Sequence, residues 1–371
     1  MKRLLLLGGG HAHVHVLREL AQQPLPGTEV MLITPFARQM YSGMVPGLVA
    51  GHYAADSCAI ALAPLARAAR VSLVEAAAVS MEAGQRRVHL STGQVAEYDM
   101  LSIDTGSEMR RDVIPGAREH AMFVRPIEHF VQLFERLPAL AAQRVLNVVV
   151  LGGGAAGLEL AMALQHRLAE RVRVALVLGM SAPLEGYPPS AVEAALAQLR
   201  RWRIAVLPEA CSAIAADHVL LASGARVACD VPVLAVGSTA PEWLRGGGLA
   251  LDERGFVATR ATLQSNSHPH VFAVGDVASR TDMNHPRSGV FAVRAGPPLA
   301  HNLRAVLAGQ TPLPHLPPQR TLNLISCGDR RAIATWGTWS TQGRWVWHWK
   351  DRIDRGFVRR YTLPGGGAAT A

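Results

Sequence analysis

Cysteine is scarce in this chain. The four present, Cys58, Cys211, Cys229 and Cys327, are scattered through 371 residues. No two stand in a C-x-x-C or C-x4-C pair, which excludes a zinc knuckle and a redox dithiol of local spacing. Thiols so dispersed fit a reduced, cytoplasmic protein. Long apolar runs are missing too: none approaches the roughly 18–20 residues of a membrane-spanning helix. The opening run Leu4–Leu7 is ended by Gly8-Gly9-Gly10, too soon for a secretory signal, and reads as a buried first strand. Acidic residues are in deficit, 28 against 37 Lys and Arg, for a net charge of +9. That surplus suits nucleic acid, an anionic membrane face or phosphorylated ligands. No nucleic-acid recognition motif accompanies it, so nucleic acid is set aside. Aromatic residues are only 5%, yet five of the seven Trp (336, 339, 345, 347 and 349) crowd into one stretch.

What is abundant is apolar surface. Hydrophobic residues make up 49% and charged residues 18%, so a core can form and disorder is excluded. The length suggests two or three domains.

An internal echo sets the organisation. Leu4–Leu7 leads into Gly8-Gly9-Gly10-His11-Ala12-His13, then a stretch of helical spacing, then the apolar strand Val30–Ile33. The same order recurs as Val148–Leu151, Gly152-Gly153-Gly154-Ala155-Ala156-Gly157, a helix over Leu158–Leu168, and the strand Val172–Leu178. Two strand–glycine-loop–helix–strand units predict two doubly wound domains. Pro115-Gly116 and Arg125-Pro126 punctuate a crossover between them, and the Pro-rich residues 310–318 form a linker. A basic, Trp-rich segment and a flexible Gly-rich tail close the chain.

Gly152, Gly154 and Gly157 satisfy G-x-G-x-x-G, which permits a tight turn, an approaching pyrophosphate and close helix packing. Ala155 and Ala156 open the helix, whose free N–H groups favour phosphate. The first loop keeps Gly8 and Gly10 but has His13 at the third glycine position. Either the helix packs further from its strand, or His11 or His13 donates to a phosphate. His11-x-His13-x-His15 predicts no metal site, because residues two apart do not share a helix face. The acid that usually ends the second strand and takes the ribose hydroxyls is absent from both units. Thr34-Pro35 and Gly179-Met180 stand there, with Arg38 close by in the first.

Further on, a Thr/Ser is followed by Val271-Phe272-Ala273-Val274-Gly275-Asp276. Here the chain resembles the FAD-dependent pyridine nucleotide–disulfide oxidoreductase superfamily in its two-dinucleotide-domain form, over roughly residues 2–310. The resemblance implies that Gly275 and Asp276 meet the ribityl chain of FAD, and that Thr105 and Gly106 belong to a second flavin-contacting turn. It implies FAD over Gly8, Gly10, His11, Ala12 and His13, with Arg38 near, and NAD(P)H over the second loop. Glu159 matches the acid of the family's G-x-G-x-x-G-x-E loop near the nicotinamide; it equally suits ordinary dipole complementation. Tyr41, Ser42, Gly43 and Met44 would pass close to the flavin ring. Disulfide reductases of this superfamily need a paired cysteine, which is lacking; type II NADH dehydrogenases need none.

The strings Gly8–Val14, Tyr41–Gly47 and Lys350–Arg355 look like NADH-dehydrogenase-like flavoproteins related to the segment fused to selenide water dikinase in some bacteria. Type II enzymes carry a Gln-containing quinone motif after the Gly-Asp segment. The corresponding Gly289–Gly296 has no Gln, and Arg294 stands where a polar residue facing the flavin is expected, able to steady charge on the reduced ring.

The expected fold is α/β: two Rossmann-like domains in a glutathione-reductase-like arrangement and a small C-terminal α+β domain. FAD would occupy residues 1–115 with 240–310, NAD(P)H residues 116–239, and the C-terminal domain residues 311–371. The expected activity is hydride transfer from NAD(P)H to FAD and electron transfer to a quinone or other small acceptor. The alternatives are a flavin-binding accessory protein with a degenerate nicotinamide site, or a sulfide:quinone reductase-like enzyme. A homodimer is left open. Trp345, Trp347 and Trp349 alternate with Arg344, Val346, His348 and Lys350, which fits either a basic membrane-interface patch on the inner face or a strand followed by a capping helix over Ile353–Tyr361.

Overall fold

The computed structural model describes residues 1–283 and 287–363. The Gly-rich tail expected to be flexible lies outside the described residues.

Strand β1 (Lys2–Leu7) is a continuous leucine run whose last four residues are buried, the pattern of a parallel strand covered on both faces. It lies between β2 (Thr28–Thr34) and β3 (Met100–Ile103), with Leu7 level with Ile33 and Ile103. Val271–Ala273 and Ser72–Glu75 complete a five-stranded parallel sheet. Helix α1 (His11–Gln22) links β1 to β2 and buries Val14, Leu17 and Leu20 at helical spacing.

The second unit repeats this plan. β4 (Leu146–Leu151) is followed by α2 (Ala155–Leu168) and β5 (Val172–Val177), and Leu151 is level with Val177 and with Leu234 of the strand Val231–Leu234. Met122–Phe123 and Ala205–Leu207 are the edges of this second parallel sheet. The echo in the sequence is therefore an echo in register. Both glycine loops leave the carboxyl edge of a central strand, where open α/β sheets bind ligands.

Helix α3 (Gly289–Leu307) packs across α1, and a Cβ on Gly296 would stand only 2.7 Å from the His15 Cβ. Beyond it, the antiparallel strands Leu322–Ser326, Ala332–Trp336 and Trp339–Gly343 are covered by α4 (Arg344–Tyr361). Here the strand expected at Trp345–Trp349 is corrected. The segment is the start of an 18-residue helix. A spacing of two over five residues places the outer pair four apart, which is also one helical turn. Trp345 and Trp349 accordingly stack on each other on the outer face, with ring centroids 6.2 Å apart, while Trp347 turns inward. Val346, Lys350, Asp354, Phe357 and Tyr361 form the buried stripe.

Candidate active site

The two glycine loops make the same backbone bonds. Gly8 N–H donates to Ile33 O and Gly152 N–H to Val177 O; Asp104 N–H donates to Leu7 O and Ala235 N–H to Leu151 O. Against this shared frame the departure at His13 acquires a cause. In the second loop a Cβ on Gly157 would run into the Gly152 carbonyl. In the first loop the His13 ring approaches the equivalent Gly8 carbonyl through Nδ1 at 2.6 Å, and its Nε2 lies 2.7 Å from the Ser102 Oγ. The ring is fully buried and its pKa falls to about 4, chiefly by desolvation. A phosphate contact through the His13 side chain is therefore replaced by a core hydrogen-bond network. The three histidines also diverge: His13 enters the core and His15 meets the Tyr361 hydroxyl at 3.1 Å. Among the described residues no cluster is placed to hold a metal ion.

His11 behaves differently. Its Nε2 is buried and has no hydrogen-bond partner. Its ring packs beside those of Tyr41 and Phe357, at 5.5 and 5.8 Å. Burial lowers its pKa to about 4, with Asp276 and Arg125 acting in opposite directions. Asp276, in the turn Gly275–Val277, is paired with Arg125 at 2.7 Å, and Arg125 also donates to Ser107 Oγ. Thr105 is exposed and Gly106 has a positive φ with open space beside it.

Three neighbouring expectations change. Arg38 is held by Glu128 at 2.8 Å and Asp56 at 2.9 Å, so its guanidinium serves an ion-pair network and is not free for a phosphate. The Met44 side chain is fully buried in the core, because its place at the end of the turn Ser42–Met44 aims it inward. Arg294 is on the exposed side of α3, between the buried Ala292 and Ala295. Ser42 borders the start of α3, where a Cβ on Gly289 would come within 3.1 Å of its Oγ.

At the second loop, Gly154 has extended backbone, and a Cβ added there would meet nothing within 4 Å. Ala155 and Ala156 begin α2, and Glu159 sits on its first turns with its carboxylate accepting from Ser326 N–H at 2.7 Å. Burial pushes the Glu159 carboxyl up to about 7, against the opposing pull of Lys350 and Ser326. Lys350 donates to Gly43 O and Asp354, both at 2.6 Å. The Tyr41 hydroxyl pulls the Asp354 carboxyl down in turn, and Tyr41 stacks on Phe357 with centroids 4.4 Å apart. A buried acid–base chain thus runs from Glu159 past Lys350 and Asp354 to Tyr41 and His11. Sequence reasoning missed Lys350, Asp354 and Arg125. The i, i+4 spacing of Lys350 and Asp354 on a helix was the available signal.

The residues fit a flavin nucleotide at the first loop: an unpartnered buried imidazole nitrogen faces the same region as the paired Asp276. The open Gly154 suits a second nucleotide. Two nucleotide units around one buried acid–base chain define a two-nucleotide oxidoreductase. The chain belongs to the pyridine nucleotide-disulphide oxidoreductase family, whose model matches residues 2–302. It is an enzyme of FAD and NAD(P)H. Demethylphylloquinone reductase NdbB of Synechocystis sp. is 26% identical over 329 residues, covering 84% of this chain and 81% of its own. The sulfide:quinone oxidoreductase of Aquifex aeolicus superposes with a TM-score of 0.80 at 19% identity, over 98% of this chain and 93% of that one. NDH2 of Plasmodium falciparum in complex with NADH also gives 0.80, at 13% identity, over 96% and 97%.

Proposed function

We propose that this chain takes hydride from NAD(P)H over Gly152–Gly157 and delivers electrons, through FAD over Gly8–Ala12, to a quinone. The observation that carries this reading is the buried Glu159–Lys350–Asp354–Tyr41 chain adjoining the second glycine loop. A bound flavin supplies acceptance of two electrons from a nicotinamide and their release to an acceptor. The chain's own part is position and protons. Gly8, Gly10, His11 and Ala12 frame the flavin's diphosphate end, Gly275 and Asp276 the ribityl chain, and Tyr41, Ser42 and Gly43 the ring. Reducing a quinone to a quinol consumes protons, and Glu159, raised to about 7 by burial, can hold and release one near neutrality. The Synechocystis relative is a quinone reductase by name, which supports the acceptor class.

The test is anaerobic titration of the yellow protein with NADH and NADPH. Bleaching of the flavin absorbance, reversed by a soluble quinone, is expected. A second reading, a flavoprotein accessory subunit, is favoured by one feature: at the end of β5, Gly179 has no side chain to take ribose hydroxyls, and Met180 is exposed. Colour that neither nucleotide bleaches would favour that second reading.

Peripheral membrane contact belongs to the same proposal. No helix among the described residues is long and apolar enough to cross a membrane. Trp345 and Trp349 are 55% and 37% exposed, with exposed Ile353 one helical turn further on and Arg344 and Arg352 exposed on the same helix. Indole rings and basic heads together suit an anionic lipid surface, at about 1 kcal/mol per basic residue. The protein should sediment with anionic vesicles at low salt and release as the Debye length shrinks toward about 8 Å. Trp345→Ala with Trp349→Ala should weaken sedimentation with little change in melting temperature, since both rings lie outside the core. Equal sedimentation of the double variant would remove the patch from consideration.

A further inference from the structure

The first nucleotide unit carries a carboxylate where the second carries a methyl. Asp104 and Ala235 are equivalent, each donating its N–H to the carbonyl that ends the central strand, Leu7 and Leu151. Ala235 has no side-chain acceptor, and the space over Gly154 is open to 4 Å. In the first unit Asp104 Oδ2 accepts the N–H groups of Ala12 and His13, both at 2.9 Å, and the residue is only 3% exposed. A Cβ on Gly10 would overlap this carboxyl, and one on Gly275 would stand 2.9 Å from Oδ1. The start of α1, which offers N–H donors and a positive dipole end to a diphosphate, therefore already holds an internal carboxyl group.

We infer that Asp104 makes retention of the flavin nucleotide proton-dependent: the diphosphate is held with Asp104 neutral and released as this carboxyl ionises. This rests on the reading that FAD lies over the first loop. A neutral carboxyl keeps Oδ2 as acceptor for both N–H groups and carries its proton on Oδ1. An ionised one sets a third negative charge beside the diphosphate in a buried site, where repulsion is poorly screened. The groups facing Asp104 do not supply this response. His11 and His13 on α1 are lowered to about 4 and stay neutral above that pH. Ser102 on β3 does not titrate, and Asp276 in the facing turn is ion-paired with Arg125. Asp104 itself is raised to about 8, by burial first, against the N–H groups of His13 and Ala12 and with Asp276 adding to the rise.

The sign follows from linkage. Bound diphosphate raises the Asp104 pKa further, so FAD affinity is highest below the pKa of the free protein. Above it, affinity falls by up to tenfold per pH unit, the limit for one linked proton. Yellow holoprotein is diluted at pH values from about 6 to about 9, and released FAD is followed by its fluorescence. The wild type should release more FAD as pH rises. D104N should retain FAD with little pH dependence. D104A, matching the second unit's Ala235, should lose the pH slope too, whatever its overall affinity. Wild-type release that is flat with pH, or a D104N slope equal to wild type, overturns the inference. If neither variant folds, calorimetry of FAD returning to the wild-type apoprotein, in two buffers of different ionisation heat at about pH 9, counts the protons. Uptake supports the role, and zero uptake overturns it. Protein that holds no FAD at any pH would instead overturn the proposed function on which this rests.

Discussion

Gly154→Val should leave the protein yellow and lower the rate at which NADH bleaches it by at least about a hundredfold, the loss of roughly 3 kcal/mol of binding and positioning. The three glycines of the second loop differ in what they tolerate. Gly152 has φ +133°, and both it and Gly157 would drive a Cβ into backbone carbonyls, of Ala235 and Gly152 respectively. Substitution there damages the fold. Gly154 has φ −78° and ψ 174°, extended backbone open to any residue, and its Cβ position meets nothing within 4 Å. Valine is accommodated by the protein at the cost of a poorer helix start, about 1 kcal/mol. Its methyl groups then occupy the face from which a diphosphate reaches the α2 N–H groups. Gly157→Ala is the contrasting control, expected to lower the melting temperature. Stopped-flow traces of Gly154→Val that match wild type would move the nicotinamide away from this loop.

Lys350→Met should destabilise the chain by about 3–5 kcal/mol, the cost of leaving a buried charge without its partner. Lys350 and Asp354 are both buried and lie 2.6 Å apart, and Lys350 also supplies the cation nearest Glu159. Methionine fills the stem's volume but removes the cation that donates to the buried Asp354 carboxylate. Burial already raises the Asp354 carboxyl against the pull of Lys350, and removing that cation raises it further. A carboxyl whose folded pKa lies above its unfolded value favours folding when protonated, and this contribution is lost as pH rises toward the folded pKa. The urea midpoint of the variant should therefore fall further below wild type at about pH 8 than at about pH 5. Lys350→Met combined with Asp354→Leu removes both charges and should recover most of the loss, because an apolar pair of similar volume often replaces a buried ion pair without penalty. A single variant as stable as wild type would show that water reaches the pair.

The two nucleotide units were legible because their signals are local. A run of Leu4–Leu7 or Val148–Leu151 ended by glycines, then apolar residues at helical spacing, needs no distant partner to be read. The register duplication follows, since each unit closes on itself within the span of its own strands. The Trp345–Trp349 segment failed for the opposite reason. Five residues hold too little periodicity to separate a strand from one turn and a half of helix, and the buried stripe Val346, Lys350, Asp354, Phe357 that decides it extends well beyond them.

By itself, the sequence determined the two glycine loops, the order of the motifs and the family resemblance, because these rest on local apolar runs and on positions such as Gly8, Gly152 and Gly157 where a Cβ would strike backbone. Only the tertiary structure decided the direction and company of the side chains. His13 entered the core because the Gly8 carbonyl and Ser102 were there to bond it; Arg38 turned from phosphate to Glu128; Asp104 reached the α1 start from a strand far along the chain. Glu159 rose toward neutrality because two separate segments, one carrying Ser326 and the other Lys350 and Asp354, closed over it and buried it, against the downward pull of Ser326 and Lys350 themselves. Burial and electrostatic environment are sums over neighbours that only folding brings together, so no local pattern of residues encodes them.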